Sequence, residues 1–267
     1  LANYETTSEN FEKEKEKELT EKKLSFFTHI SHEFRTPLTL IINPVKDLLR
    51  RNNSVDEQKE LNIVHRNARR LLSLVDQLLI FRKADVEADN MKFIKLNFHD
   101  LCHDVYLFFV QQTKMNHQEY VFECENKELE LFVDRAKIEI ALFNLISNAI
   151  KYTPEGGKII FRITEYENEV NISVVDDGYG ISKDAALRLF EKFYQAPAEN
   201  APAKTGFGIG LYLVKHFIEG HKGQISFESE EGKGTTFFVA LKKGDVHFDG
   251  QVIGQEPQKG ALILEEL

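Results

Sequence analysis

Three side chains capable of phosphate chemistry lie close together near the start of the chain, in the segment ISHEFRTPLT at residues 30–39. His32 supplies an imidazole, Glu33 a carboxylate and Thr36 a hydroxyl, all within about one turn of a helix. A neutral imidazole is a competent nucleophile near neutral pH, and a neighbouring carboxylate can hold its second N–H and stabilise the developing positive charge. The segment therefore predicts a nucleophilic histidine with an acid/base partner, although a histidine beside a glutamate is also common on helix surfaces.

Four polar residues much farther along the chain suit a nucleotide and its divalent cation. Asn144 and Asn148 stand four residues apart, so a helix would project both amides from one face, with Lys151 and Tyr152 close to that face. An amide oxygen is a neutral ligand suited to Mg²⁺, a lysine suits phosphate, and a tyrosine ring can lie over a base. On their own, two asparagines on a helix are more often ordinary surface residues.

Glycine-rich segments strengthen the interpretation of a nucleotide site. In DDGYGI at residues 176–181, alternate glycines let the backbone turn sharply beside a ligand, and Asp176 can accept a hydrogen bond from an exocyclic amine such as that of adenine. GFGIGL at residues 206–211 opens a helix and so presents backbone N–H groups to phosphate oxygens. GKGTTF at residues 232–237 is equally typical of an ordinary hairpin turn.

A nucleophile and a separate phosphate-donor site in one chain indicate that the chain phosphorylates itself on His32. Neither glycine segment opens a βαβ unit after a parallel strand, as a dinucleotide site requires, and the sequence contains no Gly-x-x-x-x-Gly-Lys loop. The asparagine pair and the segments DDGYGI, GFGIGL and GKGTTF are each a modest signal alone. Their occurrence in this order is a strong joint signal for a nucleotide site.

Two predicted helices position the reactive segment. Apolar residues recur at spacings of three and four in both, and a hairpin of two such helices cannot cover its own apolar surface. Two copies are therefore expected to pack as a four-helix bundle, which makes the protein a homodimer. The first series is Phe27, Ile30, Phe34, Leu38, Ile41, Val45 and Leu48, and the second is Leu61, Val64, Ala68, Leu71, Val75, Leu78 and Arg82.

The direction of the first apolar series predicts that the reactive histidine is exposed. At about 100° per residue, His32 falls roughly 165° from the centre of the series and faces solvent. Thr36 lies one turn further along the same outer face. Pro37 removes a backbone donor within the series and predicts a bend beside the histidine. His29 also points outward and is interpreted as an ordinary surface residue.

Beyond the polar segment at residues 84–90, the pattern changes to mixed helix and strand. It predicts an α+β fold in which helices pack on a largely antiparallel sheet as a two-layer sandwich. The stretch QAPAENAPAKT at residues 195–205 has no periodicity and predicts a mobile loop. The predicted helices are 98–115, 135–152, 183–190 and 208–219, and the predicted strands are 119–124, 129–133, 158–165, 170–176, 223–228 and 235–241.

Composition narrows the class of protein. Of the 267 residues, 42% are apolar and 29% are charged, which is ordinary for a soluble globular protein. The net charge of −9 argues against a nucleic-acid or anionic-membrane surface, because both need clustered lysine and arginine. Cys102 and Cys124 have no metal-ligand spacing and are expected to be reduced thiols in a cytosolic setting. No apolar run approaches the ~18 residues that a membrane span needs, so no membrane contact is expected within these residues.

Taken together, these motifs resemble those of the sensor histidine kinases of two-component signalling. HEFRTPLT looks like the family's phosphoacceptor box, NLISNAIKYTP like its Asn box, and DDGYGI and GFGIGL like its two glycine boxes. LFEKFYQ resembles its Phe box and GKGTTF its last box. The resemblance implies a histidine-phosphotransfer hairpin at residues 1–84, a linker at 85–91, a Bergerat-type ATP-binding domain at 92–243, and a tail at 244–267.

The resemblance also implies a role for each matching residue. His32 would be the phosphoacceptor, Glu33 its acid/base partner, and Thr36 would position water when the phosphorylated regulator is dephosphorylated. Asn148 would bind Mg²⁺, Asp176 would accept from the adenine amine, and Phe190 and Phe193 would anchor the loop at 195–205. The residues expected around ATP are Asn144, Asn148, Lys151, Tyr152, Asp176, Gly178, Gly180, Ile181, Phe193, Gly206, Gly208, Gly210, Leu211 and Thr235.

The N-terminal segment KEKEKELTEKKLSFFTHISHEFRTPLTLI looks most like that of the hybrid kinases of gut Bacteroidetes. In those kinases, a periplasmic sensor and a membrane helix precede the kinase, and a receiver domain follows it. The resemblance thus implies a cytoplasmic domain of an inner-membrane sensor, whose partner is a response regulator receiver domain. This chain ends soon after the last box, and its tail is interpreted as a linker or as the first strand of a receiver. No receiver phosphoacceptor aspartate is present.

Two other classes of function compete with this interpretation. A Bergerat-fold ATPase such as a gyrase or a mismatch-repair protein would hydrolyse ATP to move domains, and the helical hairpin with HEFRTP counts against it. A non-catalytic dimeric scaffold with a decayed nucleotide site is disfavoured because each predicted ligand position has a competent residue type. Composition does not fix whether phosphate would pass within one protomer or across the dimer.

Overall fold

The computed structural model describes residues 91–195, 208–248 and 252–255, with residues 34, 38–46, 48–49, 57–58, 61–65, 67–68, 71 and 75 nearer the N-terminus. The predictions for His32, Glu33, Thr36, Pro37 and Gly206 fall outside these residues. The chain divides into two compact units, residues 1–87 and 88–267. The finer domain limits given above stay a prediction.

In the first unit, the described residues are helical, and three apolar side chains are buried together. Leu38 and Ile42, one helical turn apart, pack with Ala68. Ile42 does not belong to the predicted apolar series, whereas several members of both series are exposed in the single chain. The apolar face of these helices is therefore wider than the part that is buried between Leu38, Ile42 and Ala68. The exposed large apolar residues of this unit are Phe34, Leu40, Ile41, Leu48, Ile63, Val64 and Leu71.

The second unit confirms the predicted α+β sandwich. Its longer helices begin where short polar side chains cap them, since Asn97 Oδ1 accepts from the Asp100 N–H at 3.0 Å and Asp134 Oδ1 from the Lys137 N–H at 3.3 Å. In chain order the elements are β1 (Phe93–Asn97), α1 (Phe98–Met115), β2 (Glu119–Cys124), β3 (Glu130–Val133), α2 (Arg135–Tyr152), β4 (Lys158–Glu165), β5 (Glu169–Asp176), α3 (Lys183–Ala186), α4 (Gly210–Gly220), β6 (Gln224–Glu230), β7 (Gly234–Lys242) and β8 (Val252–Gln255).

A five-stranded sheet forms one layer of this unit, in the order β2-β4-β5-β7-β6. The β2–β4 pair is parallel and the other three pairs are antiparallel. Alternate residues along the strands are buried because successive side chains point to opposite faces of a sheet. The buried face packs with α1, α2 and α4 around one core, which includes Leu145, Ile146, Phe161, Ile172 and Val174.

A second, three-stranded sheet in the order β3-β1-β8 was not predicted. β8 pairs in parallel with β1, with Phe93 opposite Val252 and Lys95 opposite Gln255, so part of the predicted tail belongs to this unit. The ring of Phe93 stacks on Phe248 at 3.7 Å between centroids. His221 also contacts Phe93, and its Nε2 accepts from the Asp134 N–H at 2.9 Å.

Two helix predictions on either side of the loop at 195–205 were wrong at one end. The helix predicted for 183–190 ends at Ala186, and the chain continues in turns that bring the Phe193 N–H to Gly208 O at 2.9 Å. The helix predicted from Gly208 begins at Gly210, because Gly208 has a φ of +71° and cannot be helical. Phe193 itself has a φ of +64°. The two ends of the loop are therefore hydrogen-bonded to each other.

Candidate nucleotide-binding site

Helix α2 provides one wall of the candidate site and touches the start of α4. Asn144 and Asn148 are half-buried on the same face, and Asn144 Nδ2 donates to Ile140 O at 2.8 Å. A methyl group added to Gly210 would lie only 2.5 Å from Asn144 Oδ1. The missing side chain at Gly210 thus lets the first turn of α4 approach the asparagine face. The structure thereby brings together two motifs, at Asn144 and Gly210, that are more than sixty residues apart in the sequence.

The last turn of α2 carries the cationic and aromatic groups of the site. Lys151 Nζ donates to the Tyr152 hydroxyl at 2.9 Å and lies 4.6 Å from the centre of that ring. Tyr152 remains 37% exposed, so its ring is open to a ligand. Its carbonyl oxygen accepts from the Tyr179 N–H at 3.1 Å, and Gly178 packs directly against the same carbonyl group. The end of α2 is therefore joined to the loop that follows β5.

Asp176 ends β5 as a buried hydrogen-bond acceptor. Its side chain is 7% exposed, and Oδ1 accepts from the Gly178 N–H at 3.0 Å. Burial raises the pKa of this carboxyl group from 3.8 to about 6, although the backbone N–H groups of Gly178 and Thr235 oppose the rise by stabilising the ionised form. A carboxylate in this position can accept a hydrogen bond from an amine group of a ligand that reaches the bottom of the site.

The turn between β6 and β7 closes the site from the other side. Gly180 has a φ of +68° and lies directly against the Glu230 carbonyl, while the Gly232 N–H donates to Tyr179 O at 2.7 Å. Gly234 has a φ of +106° and packs against the backbone of Asp176. GKGTTF is therefore a hairpin turn that also supports the DDGYGI loop.

Ser229 is a residue of this region that sequence analysis missed. Its hydroxyl accepts from the Ile181 N–H at 2.8 Å, lies 2.9 Å from Thr235 Oγ1, and donates to Gly234 O at 3.0 Å. The same side chain thus ties the DDGYGI loop to the start of β7. A sequence signal exists, because Ser229 follows Ile225 and Phe227 at alternate positions and is a polar residue on the inward face of β6.

The remaining predicted positions lie on the same side of the sheet. Ile181, Phe190 and Leu211 pack against the core, and Phe190 contacts Phe227 at 5.9 Å between ring centroids. Phe193 is 59% exposed at the base of the loop. These contacts link the described candidates, with Phe193 joined to Gly208 through its backbone N–H, and their contacts with a ligand stay predictions.

Asn148 is the residue predicted to bind a divalent cation. Its amide is half-buried on the same face of α2 as that of Asn144, and an amide oxygen is a neutral ligand suited to Mg²⁺. Within residues 91–195, 208–248 and the described parts of the first unit, no group of three or more His, Cys, Asp or Glu side chains could hold a metal ion. A cation here would therefore need phosphate oxygens and water to complete its shell, which is how Mg²⁺ usually binds.

Two family models match the chain, one for each unit. The His Kinase A (phospho-acceptor) domain matches residues 22–87, which include His32, Glu33 and Thr36. The histidine kinase-, DNA gyrase B- and HSP90-like ATPase family matches residues 133–245, which include every candidate nucleotide-site residue. Among the described helices, none is long and apolar enough to cross a membrane.

Curated relatives agree with both matches. Histidine kinase P4 from Formosa agariphila is 38% identical over 250 residues, which are 92% of this chain and 18% of that protein. Sensor histidine kinase WalK from Bacillus subtilis is 32% identical over 233 residues, which are 85% of this chain and 38% of that protein. The chain thus spans less than two fifths of the length of these relatives. The Formosa relative fits the resemblance to Bacteroidetes kinases.

Solved structures show the same architecture. The catalytic domain of histidine kinase ThkA is 29% identical with a TM-score of 0.51, covering 57% of this chain and 99% of that one. ThkA in complex with the response regulator protein TrrA is 25% identical with a TM-score of 0.58, covering 87% of this chain and 66% of that one. Full-length ShkA with AMPPNP shares the fold, with a TM-score of 0.63 at 23% identity over 82% of this chain and 46% of that one.

The fold, the contacts of the DDGYGI loop and of the start of α4 with α2, and the two family matches all point to the same family. Helix α2, the DDGYGI loop and the start of α4 form one site within the ATPase-family match, and the histidine segment lies within the phospho-acceptor match. The chain belongs to the sensor histidine kinases, and it comprises their protein-histidine kinase core.

Proposed function

We propose that this chain transfers the γ-phosphoryl group of Mg·ATP to His32, and that the phosphohistidine then donates to an aspartate of a response regulator receiver domain. Glu33 would act as the acid/base partner of His32, and Thr36 would position water in a reverse, phosphatase reaction. The single observation that carries the proposal is the contact of both glycine-rich segments with the asparagine helix, at Gly210 and at the Tyr152 carbonyl.

ATP fits the donor groups that this contact assembles. The carboxylate of Asp176 would accept from the adenine amine, and the Tyr152 ring would lie over the base. Helix α4 has no side-chain cap at its N-terminus, so the N–H groups of its first turn remain to bind phosphate oxygens. Lys151 would contribute positive charge beside the phosphates. These groups orient the nucleotide by its base at one end and by its phosphates at the other.

Phosphoryl transfer asks little covalent chemistry of the protein beyond positioning and charge neutralisation. Asn148 would hold Mg²⁺ through its amide oxygen, and the bound cation would neutralise charge on the phosphates. Glu33 would hold one N–H of the His32 ring so that the other nitrogen keeps its lone pair for attack. As the N–P bond forms, the bond between the γ-phosphorus and ADP would break, and the remaining N–H proton of the phosphorylated ring would pass to the Glu33 carboxylate.

The proposed partners are a second copy of the chain and a receiver domain. The exposed apolar residues of the hairpin, such as Phe34, Ile41 and Leu71, would be covered in a four-helix bundle. The phospho-acceptor match and the ThkA–TrrA complex support a dimer and a regulator partner. We further propose that these residues form the cytoplasmic part of an inner-membrane sensor, of the hybrid type in which a receiver follows the kinase.

Incubation with γ-labelled ATP and Mg²⁺ tests the proposed reaction. The expected product is a covalent label that is stable in base and lost in acid, because a phosphoramidate P–N bond hydrolyses when its nitrogen is protonated. The label should then move to an isolated receiver domain. Release of inorganic phosphate with no covalent label would instead favour an ATPase that uses hydrolysis to move domains.

The raised pKa of Asp176 predicts opposite effects of one substitution on stability and on binding. Because its folded-state pKa of about 6 lies above the unfolded value of 3.8, the stability that this group contributes is present below 3.8 and is lost as the pH rises through about 6. Asp176→Asn is therefore expected to raise the free energy of unfolding near pH 8 by about 1–3 kcal/mol. It should weaken ATP binding about tenfold or more, since a neutral amide is a weaker acceptor.

Denaturant unfolding and nucleotide titrations at several pH values check this prediction. In the unsubstituted protein, ATP affinity should fall as the pH is lowered from about 8 to about 5, because protonation removes the charged acceptor. In the Asp176→Asn protein, the affinity should be low and nearly independent of pH. An unsubstituted protein whose affinity does not change across this range would contradict the assignment.

A further inference from the structure

Gln118 lies outside every recognised motif, yet its side chain is buried against the end of the asparagine helix. It stands between α1 and β2 and is 9% exposed. Its Nε2 donates to two carbonyl oxygens, Ile150 O at 2.9 Å and Thr153 O at 2.6 Å. Its Oε1 accepts from Asn116 Nδ2 at 3.4 Å. Both ends of the amide are therefore occupied, and the carbonyl partners are Ile150 in the last turn of α2 and Thr153 immediately after it.

The last carbonyl groups of a helix have no partner within the helix, so other groups must satisfy them. At the end of α2, Ala149 O accepts from the Thr153 N–H at 3.0 Å, and Gln118 satisfies Ile150 O. The Tyr152 carbonyl oxygen accepts instead from the Tyr179 N–H of the loop that follows β5. The three carbonyl groups therefore have three different partners, and that of Tyr152 is bonded to the DDGYGI loop.

The backbone around Gln118 holds the same region. The Gly156 N–H donates to His117 O at 3.0 Å, and the Glu119 N–H donates to Gly157 O at 2.9 Å. His117 has a φ of +54°, which shows that the chain turns tightly to present Gln118. The segment from residue 116 to 119 is thus bonded to α2, to Thr153 immediately after it and to the turn that follows.

We infer that Gln118 is a positioning residue for nucleotide binding, which acts by fixing the last turn of α2 so that the Tyr152 carbonyl seats the loop bearing Asp176 and Gly178. The inference rests on the proposed nucleotide site. Without the amide donors, two buried carbonyl groups lose their partner, and the last turn of α2 can rotate or fray. The binding-competent arrangement then becomes a fraction of the population, and the apparent affinity falls by that fraction.

Gln118→Met tests the inference, because methionine keeps the length and burial of the side chain but has no N–H donor. The apparent Kd for ATP, measured well below the thermal midpoint, is expected to rise about tenfold through the lost pre-organisation. The turnover of the saturated enzyme should change less than about twofold, since the reacting groups are untouched. Gln111→Met is the matched control, because Gln111 is exposed on α1, and it should leave both values unchanged.

Amide hydrogen exchange gives a readout that does not depend on ATP. The Tyr179 N–H should exchange faster in Gln118→Met, while the N–H of Ile172 in the centre of β5 should keep its protection. A protein that binds no ATP but shows this selective exchange would refute the proposed function and leave the positioning role standing. Equal loss of protection at both sites, or a lower thermal midpoint with unchanged Kd and unchanged Tyr179 exchange, would reduce Gln118 to a general stabilising residue and overturn the inference.

Discussion

Gly234→Ala is expected to abolish nucleotide binding and autophosphorylation, whereas Gly232→Ala should leave both nearly unchanged. Both glycines lie in the turn between β6 and β7 with left-handed φ values, +106° for Gly234 and +80° for Gly232. A methyl group on Gly232 would meet no atom within 4 Å. On Gly234 it would overlap the Asp176 carbonyl oxygen and lie 2.7 Å from the Asp177 Cα. The two substitutions share backbone strain and differ in the clash.

The clash falls on backbone atoms, which cannot rotate away as a flexible side chain does. β7 would have to separate from β5 at Asp176, the residue expected to bind the adenine amine, and the support from Ser229 and Thr235 would be lost with it. We expect Gly234→Ala to lower the free energy of unfolding by more than about 3 kcal/mol, and Gly232→Ala by only about 1 kcal/mol.

Thermal unfolding and a nucleotide titration of both variants check this prediction. If Gly234→Ala is too unstable to purify while Gly232→Ala is not, the difference in stability is already confirmed. A Gly234→Ala protein that unfolds and binds nucleotide like Gly232→Ala would show that the close approach of the turn to Asp176 is not required.

His32→Gln is expected to bind ATP with unchanged affinity and yet to take up no acid-labile phosphate. The predicted nucleophile belongs to the segment matched by the phospho-acceptor model, while the nucleotide groups lie within the ATPase match. Removing the imidazole should therefore eliminate the acceptor and spare the donor site. Glutamine keeps a polar side chain of similar size but has no nucleophilic nitrogen.

His29→Gln is the matched control, since His29 lies in the same segment and is predicted to be an ordinary surface residue. It should retain the label at the level of the unsubstituted protein. Label that persists in His32→Gln, or that disappears equally from both variants, would refute the assignment of His32. A parallel ATP titration separates loss of the acceptor from loss of nucleotide binding.

Local pattern was enough to predict the elements that carry most of the site. The bounds of α1, α2, β2 and β4 agree with those predicted, because long helices have clear periodicity and caps, and these strands are flanked by turn residues. The pairing of Asn144 with Asn148 on one face follows directly from the period of a helix. The type of each motif could therefore be inferred before its position in space.

Contacts between distant segments could not be predicted in the same way. β1 and β8 are five and four residues long, and each is stabilised by a partner more than 30 residues away in the sequence. Nothing local in FIKLN or VIGQ outweighs the alternatives of helix or loop. Ser229 and Gln118 were missed for the same reason, because their partners are backbone groups whose positions only the fold determines.

The parallel pairing of β8 with β1 has a mechanical consequence for the kinase core. β1 is entered at Phe93, and β8 is left at Gln255, which lies opposite Lys95 farther along β1. Tension between the incoming and outgoing chain would pull the two strands in opposite directions along their length. All the interstrand hydrogen bonds would then bear the load in shear at once, so this junction should resist a force that would unzip an antiparallel hairpin bond by bond.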